Sequence, residues 1–184
     1  MKNFVISLST FIVCNVSLIY AQETKPLEPY FTKDGKVEQF EKATAKMEAK
    51  AVGMGYGGVN NYLTVFNSKK SAVRFKQNEI PKFYITLPDN ASSESITIVK
   101  ADKVKESKTY RRFVQSGVSM GGTKDMSSYQ LVLPLKNSGN GSYEIVVPQD
   151  IEAGEYSFVI SSSTQYDPFV SPLEKKIFCF AIEP

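Results

Sequence analysis

The sequence predicts an all-β protein, a two-sheet sandwich with a short N-terminal helix. From Val59 onward, short runs of β-branched and aromatic residues alternate with turn signals. No helical pattern separates these runs, which favours packed antiparallel sheets over a parallel sheet with crossover helices. The expected strands are Val59–Phe66, Ala72–Lys76, Lys82–Leu87, Ile96–Val104, Thr109–Gln115, Tyr129–Lys136, Ser142–Val147, Tyr156–Ser162 and Lys175–Ile182.

Three of these runs carry the clearest patterns. Tyr129–Lys136 alternates between apolar and polar residues, as does Ser142–Val147. The connection Asn137–Gly141 is rich in residues that tolerate positive φ and predicts a hairpin. Lys175–Ile182 is apolar on both faces, which predicts a covered central strand.

Residues Ile151–Tyr156 precede an alternating strand and place a glycine two positions before a tyrosine. This pattern resembles the tyrosine corner of fibronectin type III and immunoglobulin-like domains. In that corner the phenol hydrogen-bonds to upstream backbone. The resemblance implies that the all-β fold is a two-sheet immunoglobulin-like (Greek-key) sandwich, and it implies structural roles for Gly154 and Tyr156.

The segment before the strands is expected to be separate from them. Pro26 and Pro29 interrupt Gln22–Lys33, which we interpret as an extended leader. Asp34 is expected to cap a helix that runs to about Ala51. An apolar stripe at helical spacing supports this expectation and consists of Val37, Phe40, Thr44 and Met47.

Residues 1–21 have the layout of a secretory signal peptide. Lys2 supplies the positive charge, Phe4–Ile19 carries none, and Ala21 precedes a polar run. The apolar run is shorter than the roughly 20 residues of a membrane span, so no transmembrane segment is expected after signal removal. The expected domains are 1–21, 22–52 and 53–184. We expect an exported product, periplasmic or at the cell surface or outside the cell.

The composition excludes several kinds of site. The chain has no His, no Trp and two Cys, so a Ser-His-Asp triad, an imidazole metal ligand and a four-thiolate zinc site are impossible. Signal removal would leave Cys179 alone, in an apolar run that predicts a buried thiol. No cofactor and no metal ion are expected.

Two motifs resemble enzyme signatures but lack their context. Gly53–Gly58 satisfies G-x-G-x-x-G, yet a strand follows it where dinucleotide binding needs a helix. Gly117–Gly121 satisfies G-x-S-x-G, yet the chain has no His to serve as base. We therefore interpret both as glycine-rich loops.

Carboxylates offer an alternative chemistry. Glu94, Asp102, Glu106 and Asp125 are candidates for the acid pair of a glycan hydrolase. They lie in turns or beside lysines, where a solvated surface explains them. The oxygen-rich loop Asp89–Glu94 lacks the spacing of a calcium-binding loop and is expected to be a polar turn.

The charge distribution has one local excess. Between Lys100 and Arg112 six cations accompany two carboxylates, whereas the whole chain has a net charge of +3. A basic hairpin of this kind could contact an anionic polysaccharide, a lipid headgroup or an acidic partner. The alternative is an exposed hairpin whose lysines discourage pairing between sheet edges. Nucleic acid is not expected, because no wider basic face accompanies the run.

Several short segments together resemble a group of exported bacterial β-sandwich proteins that carries no established activity. The resemblance extends over about residues 53–182 and implies export and fold. The segments are Gly55–Gly58, Ser71–Phe75, Arg111–Phe113, Gly121–Lys124, Gly154–Phe158 and Phe178–Phe180.

These patterns predict an exported, non-catalytic module that binds an envelope protein or an anionic glycan. The expected binding residues are Tyr56, Lys108, Arg111 and Arg112, together with the loops Gly53–Gly58 and Gly117–Gly122. A glycan hydrolase with a carboxylate pair and a self-associating structural subunit are the alternatives.

Overall fold

The structure, a computed structural model, describes residues 24–53, 56–89, 96–102, 108–119, 122–160 and 173–184. Within these residues the chain is all-β, and its strands form a small sheet of five and a large sheet of nine. The strands are β1 (Tyr30–Lys33), β2 (Lys36–Gln39), β3 (Glu41–Ala51), β4 (Val59–Val65), β5 (Arg74–Lys76), β6 (Phe83–Thr86), β7 (Ile96–Lys100), β8 (Arg111–Ser119), β9 (Gly122–Thr123), β10 (Gln130–Val132), β11 (Leu135–Gly139), β12 (Ser142–Ile145), β13 (Gly154–Ile160) and β14 (Glu174–Glu183).

The strand order is β11-β12-β6-β1-β2 in the small sheet and β10-β7-β13-β14-β3-β4-β8-β9 in the large sheet. The described pairs are antiparallel, except that β5 pairs with β14 in parallel. The expected leader is part of this architecture, because β1 pairs with both β2 and β6. The described chain before residue 53 therefore contributes strands to both sheets.

The expected helix over Asp34–Ala51 is wrong. Asp34 and Gly35 have φ angles of 51° and 75° and form the turn between β1 and β2, and β3 pairs with both β14 and β4. Along β3, Lys, Thr and Glu occupy the even positions and mostly Ala the odd positions, which is the period of a strand. The alanines and the Glu38–Lys42 pair also favour a helix, but pairing with two neighbouring strands decides the outcome.

Phe40 marks the point where the chain passes from the small sheet to the large sheet. Its ring centre lies 4.9 Å from those of Phe83, in the small sheet, and Phe158, in the large sheet. It also lies 5.4 Å from Phe180 in β14. Phe40 thus occupies the centre of the main core between the two sheets, and it is 2% exposed.

The large sheet curls until β7 and β8 meet. Ala101 pairs with Phe113, and the amide of Asp102 donates a 2.8 Å hydrogen bond to the carbonyl of Arg112. The curl encloses a second core, whose buried members are Ala45, Leu63, Val65, Val99, Phe113, Ile177 and Cys179.

The central position expected for the last strand is confirmed. Within β14, Phe178 and Phe180 face the main core, whereas Ile177 and Cys179 face the second core. All four side chains are at most 3% exposed. The double-sided apolar pattern therefore reflects a strand with a core on each face.

The single strand expected over Tyr129–Lys136 is two strands, β10 in the large sheet and β11 in the small sheet. The chain changes sheets at Leu133, which is buried in the main core, and at Pro134, which has no amide hydrogen to continue a ladder. Leu131, expected to share a buried face with Leu133, is 37% exposed. The hairpin after it is confirmed, with β11 paired to β12 across a turn whose residues adopt positive φ.

The tyrosine corner is confirmed in its geometry. The Tyr156 hydroxyl donates a 2.7 Å hydrogen bond to the carbonyl of Glu152, and its ring stacks on Phe180 at 5.5 Å. A Cβ at Gly154 would lie 2.9 Å from Cε of Lys100, the end of a flexible side chain that can move aside, so this contact does not require a glycine. The described part of the chain contains no helix that is long and apolar enough to span a membrane.

Candidate functional site

The face of β14 and β3 that packs on the small sheet continues beyond that sheet as an open surface. Phe178 is buried in the main core, whereas Lys176, on the same face of β14, is exposed. On β3 the same face carries Lys42, Lys46 and Lys50. This surface of β14, β3, β4 and β8 is termed the cationic face; its β4 residues Tyr62 and Thr64 are buried.

The three lysines of β3 lie beside carboxylates but keep their exposure. Their side chains are 46, 61 and 41% exposed in chain order. Solvent screens ion pairs of this kind, so each contributes little to stability and the ammonium groups stay accessible. The nitrogen-to-oxygen distances are 2.5 Å for Lys42–Glu28, 3.9 Å for Lys46–Glu174 and 3.4 Å for Lys50–Glu48.

Arg112, expected to be a binding residue, extends the cationic face onto β8. Thr64 pairs with Lys46 on one side and with Arg112 on the other, so the three residues form a row across β3, β4 and β8. The guanidinium carbon lies 4.8 Å from the ring centres of both Tyr62 and Tyr110. Nη2 also donates a 2.7 Å hydrogen bond to the Tyr110 hydroxyl. These contacts fix the guanidinium plane.

The guanidinium of Arg112 is not saturated by protein acceptors. Its Nε–H group has no hydrogen-bond acceptor among the described residues. That nitrogen is itself buried, so a ligand cannot reach it, and an anionic group would contact the outer nitrogens of this half-buried side chain.

Glu48 is the carboxylate nearest to this arrangement. It accepts a 2.5 Å hydrogen bond from the Thr64 hydroxyl. Burial raises the pKa of Glu48, but the Thr64 bond and the charges of Lys50 and Arg112 outweigh it and lower that pKa overall. The carboxylate is therefore ionised at neutral pH, and it orients Lys50 without neutralising the face.

Aromatic surface adjoins Arg112. The rings of Phe66 and Tyr110 are 6.2 Å apart, and Phe66 is 44% exposed. Nζ of Lys50 lies 6.0 Å from the centre of the Tyr110 ring. The cationic face therefore combines ammonium and guanidinium groups with an exposed apolar ring.

Sequence reasoning missed the three lysines of β3. The signal was present as the alternation of charged and alanine positions between Glu41 and Ala51. Interpreting that segment as a helix placed Lys42, Lys46 and Lys50 on the surface without relating them to Arg112.

Arg111, expected to contact a partner, lies inside the large sheet. It is 2% exposed, and its Nη2 donates a 2.5 Å hydrogen bond to Glu41. Nη1 donates a 3.3 Å hydrogen bond to the Ser68 hydroxyl. Arg111 and Arg112 point to opposite faces of β8, as adjacent strand residues do. A surface contact is therefore open to Arg112 but not to Arg111.

The Arg111–Glu41 pair belongs to a larger polar network. Glu41 also accepts hydrogen bonds from the Ser71 hydroxyl at 2.6 Å and from the Ala72 amide at 2.8 Å. The Ser71 amide donates a 2.7 Å bond to Glu155, which pairs with Arg74 at 2.6 Å. This network ties β3, β8 and β13 to the segment before β5.

Tyr56, another expected binding residue, lies in the turn between β3 and β4 and is 86% exposed. This turn packs against β8, because Gly58 has a φ of +80° and a Cβ there would lie 1.9 Å from the carbonyl oxygen of Val118. The described parts of the loops Gly53–Gly58 and Gly117–Gly122 therefore lie side by side. Residues 54, 55, 120 and 121 are outside the described residues.

The expected binding residues do not form a single site. Val118 pairs with Val59 near the turn that carries Tyr56, whereas Arg112 pairs with Thr64. Five strand positions separate the two pairs, a distance of about 17 Å. Tyr56 and the Arg112 cluster are therefore two separate surfaces.

The expected basic hairpin is described in part. Lys108 is exposed just before β8, and Lys103 and Lys105 lie outside the described residues. Lys100 forms an ion pair with Glu152 next to the tyrosine corner. Among the described cations of the run from Lys100 to Arg112, Lys108 and Arg112 are the two that a ligand could contact near this end of β8.

Among the carboxylates considered for hydrolysis, Glu94 and Glu106 lie outside the described residues, as does most of the Asp89–Glu94 loop. Asp125 is exposed and accepts a 2.8 Å hydrogen bond from the Ser127 amide, which lowers its pKa. A lowered pKa disfavours the protonated form that a general acid needs. No group of three or more potential metal-ligating side chains occurs in the described part of the chain.

A groove of about 480 Å3 lies between residues 77–82 and 144–149. Pro81 and Pro148 lie where the ladder between β6 and β12 ends, and neither has an amide hydrogen to continue it. Lys82 and Glu144 form a 3.3 Å ion pair at this groove. No residue predicted to bind a ligand lines it.

Comparison of the chain with protein-family models, with curated proteins and with solved structures found no match.

Proposed function

We propose that this chain is an exported, non-catalytic module that binds an anionic partner of the cell envelope, either a glycan or an acidic protein, through the cationic face. Export rests on the signal-like residues 1–21, which lie outside the described residues. The binding role rests on the arrangement of Lys46, Lys50 and Arg112.

One observation carries the proposal. Arg112 is fixed by contacts with the rings of Tyr62 and Tyr110 and by its hydrogen bond to the Tyr110 hydroxyl, next to lysines that remain 41% or more exposed. A guanidinium fixed in this way loses little entropy when an anion binds, because its orientation is already set. The preorganised arginine and its mobile ammonium neighbours suit recognition of carboxylate, sulfate or phosphate groups.

The proposal includes an immunoglobulin-like Greek-key unit as its scaffold. Constant-type immunoglobulin domains have strands A, B, E and D in one sheet and C, F and G in the other. The orders β1-β6-β12-β11 and β7-β13-β14 agree with this scheme when the seven strands are assigned A to G in chain order. The tyrosine corner before β13 also agrees, because such a corner precedes strand F.

In this assignment β3, β4 and β8 are additions to the scaffold. They carry Lys42, Lys46, Lys50 and Arg112, so the proposed site lies on elements that the scaffold itself does not require. Binding sites are commonly added to a stable fold in this way.

The proposal is tested by retention on immobilised dextran sulfate, with immobilised dextran as the neutral control. The test variant is Lys46→Gln/Lys50→Gln/Arg112→Gln. The matched control, Lys33→Gln/Lys36→Gln/Lys136→Gln, removes the same charge from exposed positions of the small sheet. We expect salt-sensitive retention of the native protein and about tenfold weaker binding by the test variant alone.

Equal losses in the two variants would show that only net charge matters and would contradict the proposal. Retention on dextran sulfate no stronger than on dextran would contradict it as well. Melting temperatures of all three proteins show whether the variants are folded.

A further inference from the structure

The lysines of the cationic face lie along one line. Lys42, Lys46 and Lys50 occupy every second outward position of β3, so about 13 Å separates successive Cα atoms and about 26 Å separates the first from the last. Thr44 is exposed between the first two, and Glu48 lies between the last two. Each of the three lysines has a carboxylate within 4 Å, so the ammonium groups lie along the strand as exposed members of ion pairs.

Further cations flank this line, although Tyr62 and Thr64, which lie between the line and Arg112, are buried. Lys176 on β14 flanks Thr44, and Arg112 on β8 lies two strands from Lys46. Neighbouring strands are about 4.8 Å apart, so Arg112 lies about 10 Å to the side of the line. A compact anion could contact Arg112 and Lys50, but a single small anion could not reach Lys42.

Exposed aromatic and hydroxyl groups accompany the charges. Phe66 exposes 44% of its surface beside the Tyr110 ring, and Thr44 exposes a hydroxyl group. Sugar rings offer apolar C–H faces to an aromatic ring and hydroxyl groups to polar side chains, and aromatic side chains bury large apolar areas in such contacts. Poly-glutamate would use the cations but has no ring to pack on Phe66.

We infer that the ligand of the cationic face is a linear anionic polysaccharide that lies along β3 from Lys50 to Lys42, with one acidic group at Arg112. This inference rests on the proposed function and specifies its ligand. Regularly spaced acidic groups on such a chain contact the lysines in succession, and a sugar ring packs on Phe66.

The inference is tested by calorimetric titration with oligogalacturonates, whose sugars each carry one carboxylate, in a series from two to twelve sugars. Affinity is expected to rise with length until the oligomer spans about 26 Å and to change little thereafter. Lys42→Gln is expected to weaken binding of the long oligomers about two- to fivefold and to leave the shortest unchanged. Arg112→Gln is expected to weaken binding of every length.

The outcomes separate this inference from the proposed function. Affinity that is independent of length, or a Lys42→Gln variant that binds long oligomers like the native protein, overturns the linear arrangement while binding at Arg112 stands. Poly-glutamate of equal charge that binds as tightly as the oligogalacturonate overturns the assignment to a polysaccharide. An Arg112→Gln variant that binds every oligomer normally, or a native protein that binds none, overturns the proposed function as well.

Discussion

Arg111 and Glu41 form an ion pair within the curl of the large sheet, with Nη2 and Oε1 2.5 Å apart and 2% of Arg111 exposed. The pair links β8 to β3, which are not neighbours in the sheet, since β4 lies between them. Arg112 faces the other way on the same strand. The structural and the proposed binding roles of the two consecutive arginines are therefore separable.

Replacement of Arg111 by Ala should destabilise the protein by about 3–5 kcal/mol. It would leave the Glu41 carboxylate without its partner in a largely enclosed site. Arg112→Ala should cost far less, because its guanidinium is only partly enclosed. Urea denaturation of both variants measures the difference, and equal losses of stability would contradict the separation of roles.

The ion pair between Arg111 and Glu41 also predicts that the protein loses stability in acid. Burial raises the pKa of Glu41, but hydrogen bonds from Ser71, Arg111 and the Ala72 amide outweigh it, and the pKa is lowered overall. A carboxylate with a lowered folded-state pKa contributes full stability above its unfolded pKa of about 4.3, and that stability is lost as the pH falls through the folded value. Unfolding free energy should therefore fall as the pH drops below about 4.3, and Glu41→Gln should show a shallower fall over the same acidic range. An identical pH profile in the variant would refute this role.

Tyr156→Phe should lower the unfolding free energy by about 1–2 kcal/mol, because it removes the buried hydrogen bond to the Glu152 carbonyl. Thermal and urea unfolding check this value. Tyr143→Phe is a suitable control, since Tyr143 is only half-buried at the edge of the main core. A Tyr156→Phe variant as stable as the native protein would count against the corner as a stabilising element.

Burial and the charge of Glu152 raise the pKa of Tyr156 to about 12. A raised folded-state pKa means that the contribution of Tyr156 is complete below the unfolded value of about 10 and is lost as the pH rises through 12. Absorbance titration at the phenolate band should show one late-titrating tyrosine that is missing in Tyr156→Phe. A variant that retains the late step would show that another tyrosine is responsible.

Cys179 should be unreactive in the folded protein. Burial raises the pKa of its thiol to about 11, and the side chain is 0% exposed in the second core. Thiolate, the reactive form, is therefore scarce and inaccessible. Alkylation followed by mass spectrometry should label Cys179 only after the chain is unfolded in denaturant, and rapid labelling of the native protein would contradict its burial.

Much of the fold could be predicted from local patterns. The double-sided apolar run of β14 and the glycine-tyrosine spacing before β13 each have one dominant physical explanation, a covered strand and a pinned corner. The β3 segment has two possible explanations, because its alanines suit a helix whereas its alternation of charged and small residues suits a strand. Pairing with β14 and β4 decides between them, and that contact is not visible in the segment itself.

The candidate site was less predictable than the fold, because it also depends on contacts between distant segments. Arg111 and Arg112 belong to the same basic run and look equivalent in the sequence. Nothing in the sequence indicates that the guanidinium of Arg111 pairs with Glu41, 70 positions away. Lys46 and Lys50 belong to the candidate site because strand pairing places them beside Thr64 and Asn60. Long-range register, not composition, determines which cations share a face.

The most direct test of the proposed cationic face is lysine acetylation footprinting with and without a long oligogalacturonate. Mass spectrometry measures the modification rate of each lysine. The proposal predicts slower acetylation of Lys42, Lys46 and Lys50, with Lys33, Lys36 and Lys136 on the small sheet unchanged. Protection of the small-sheet lysines instead, or equal protection of all six, would contradict it.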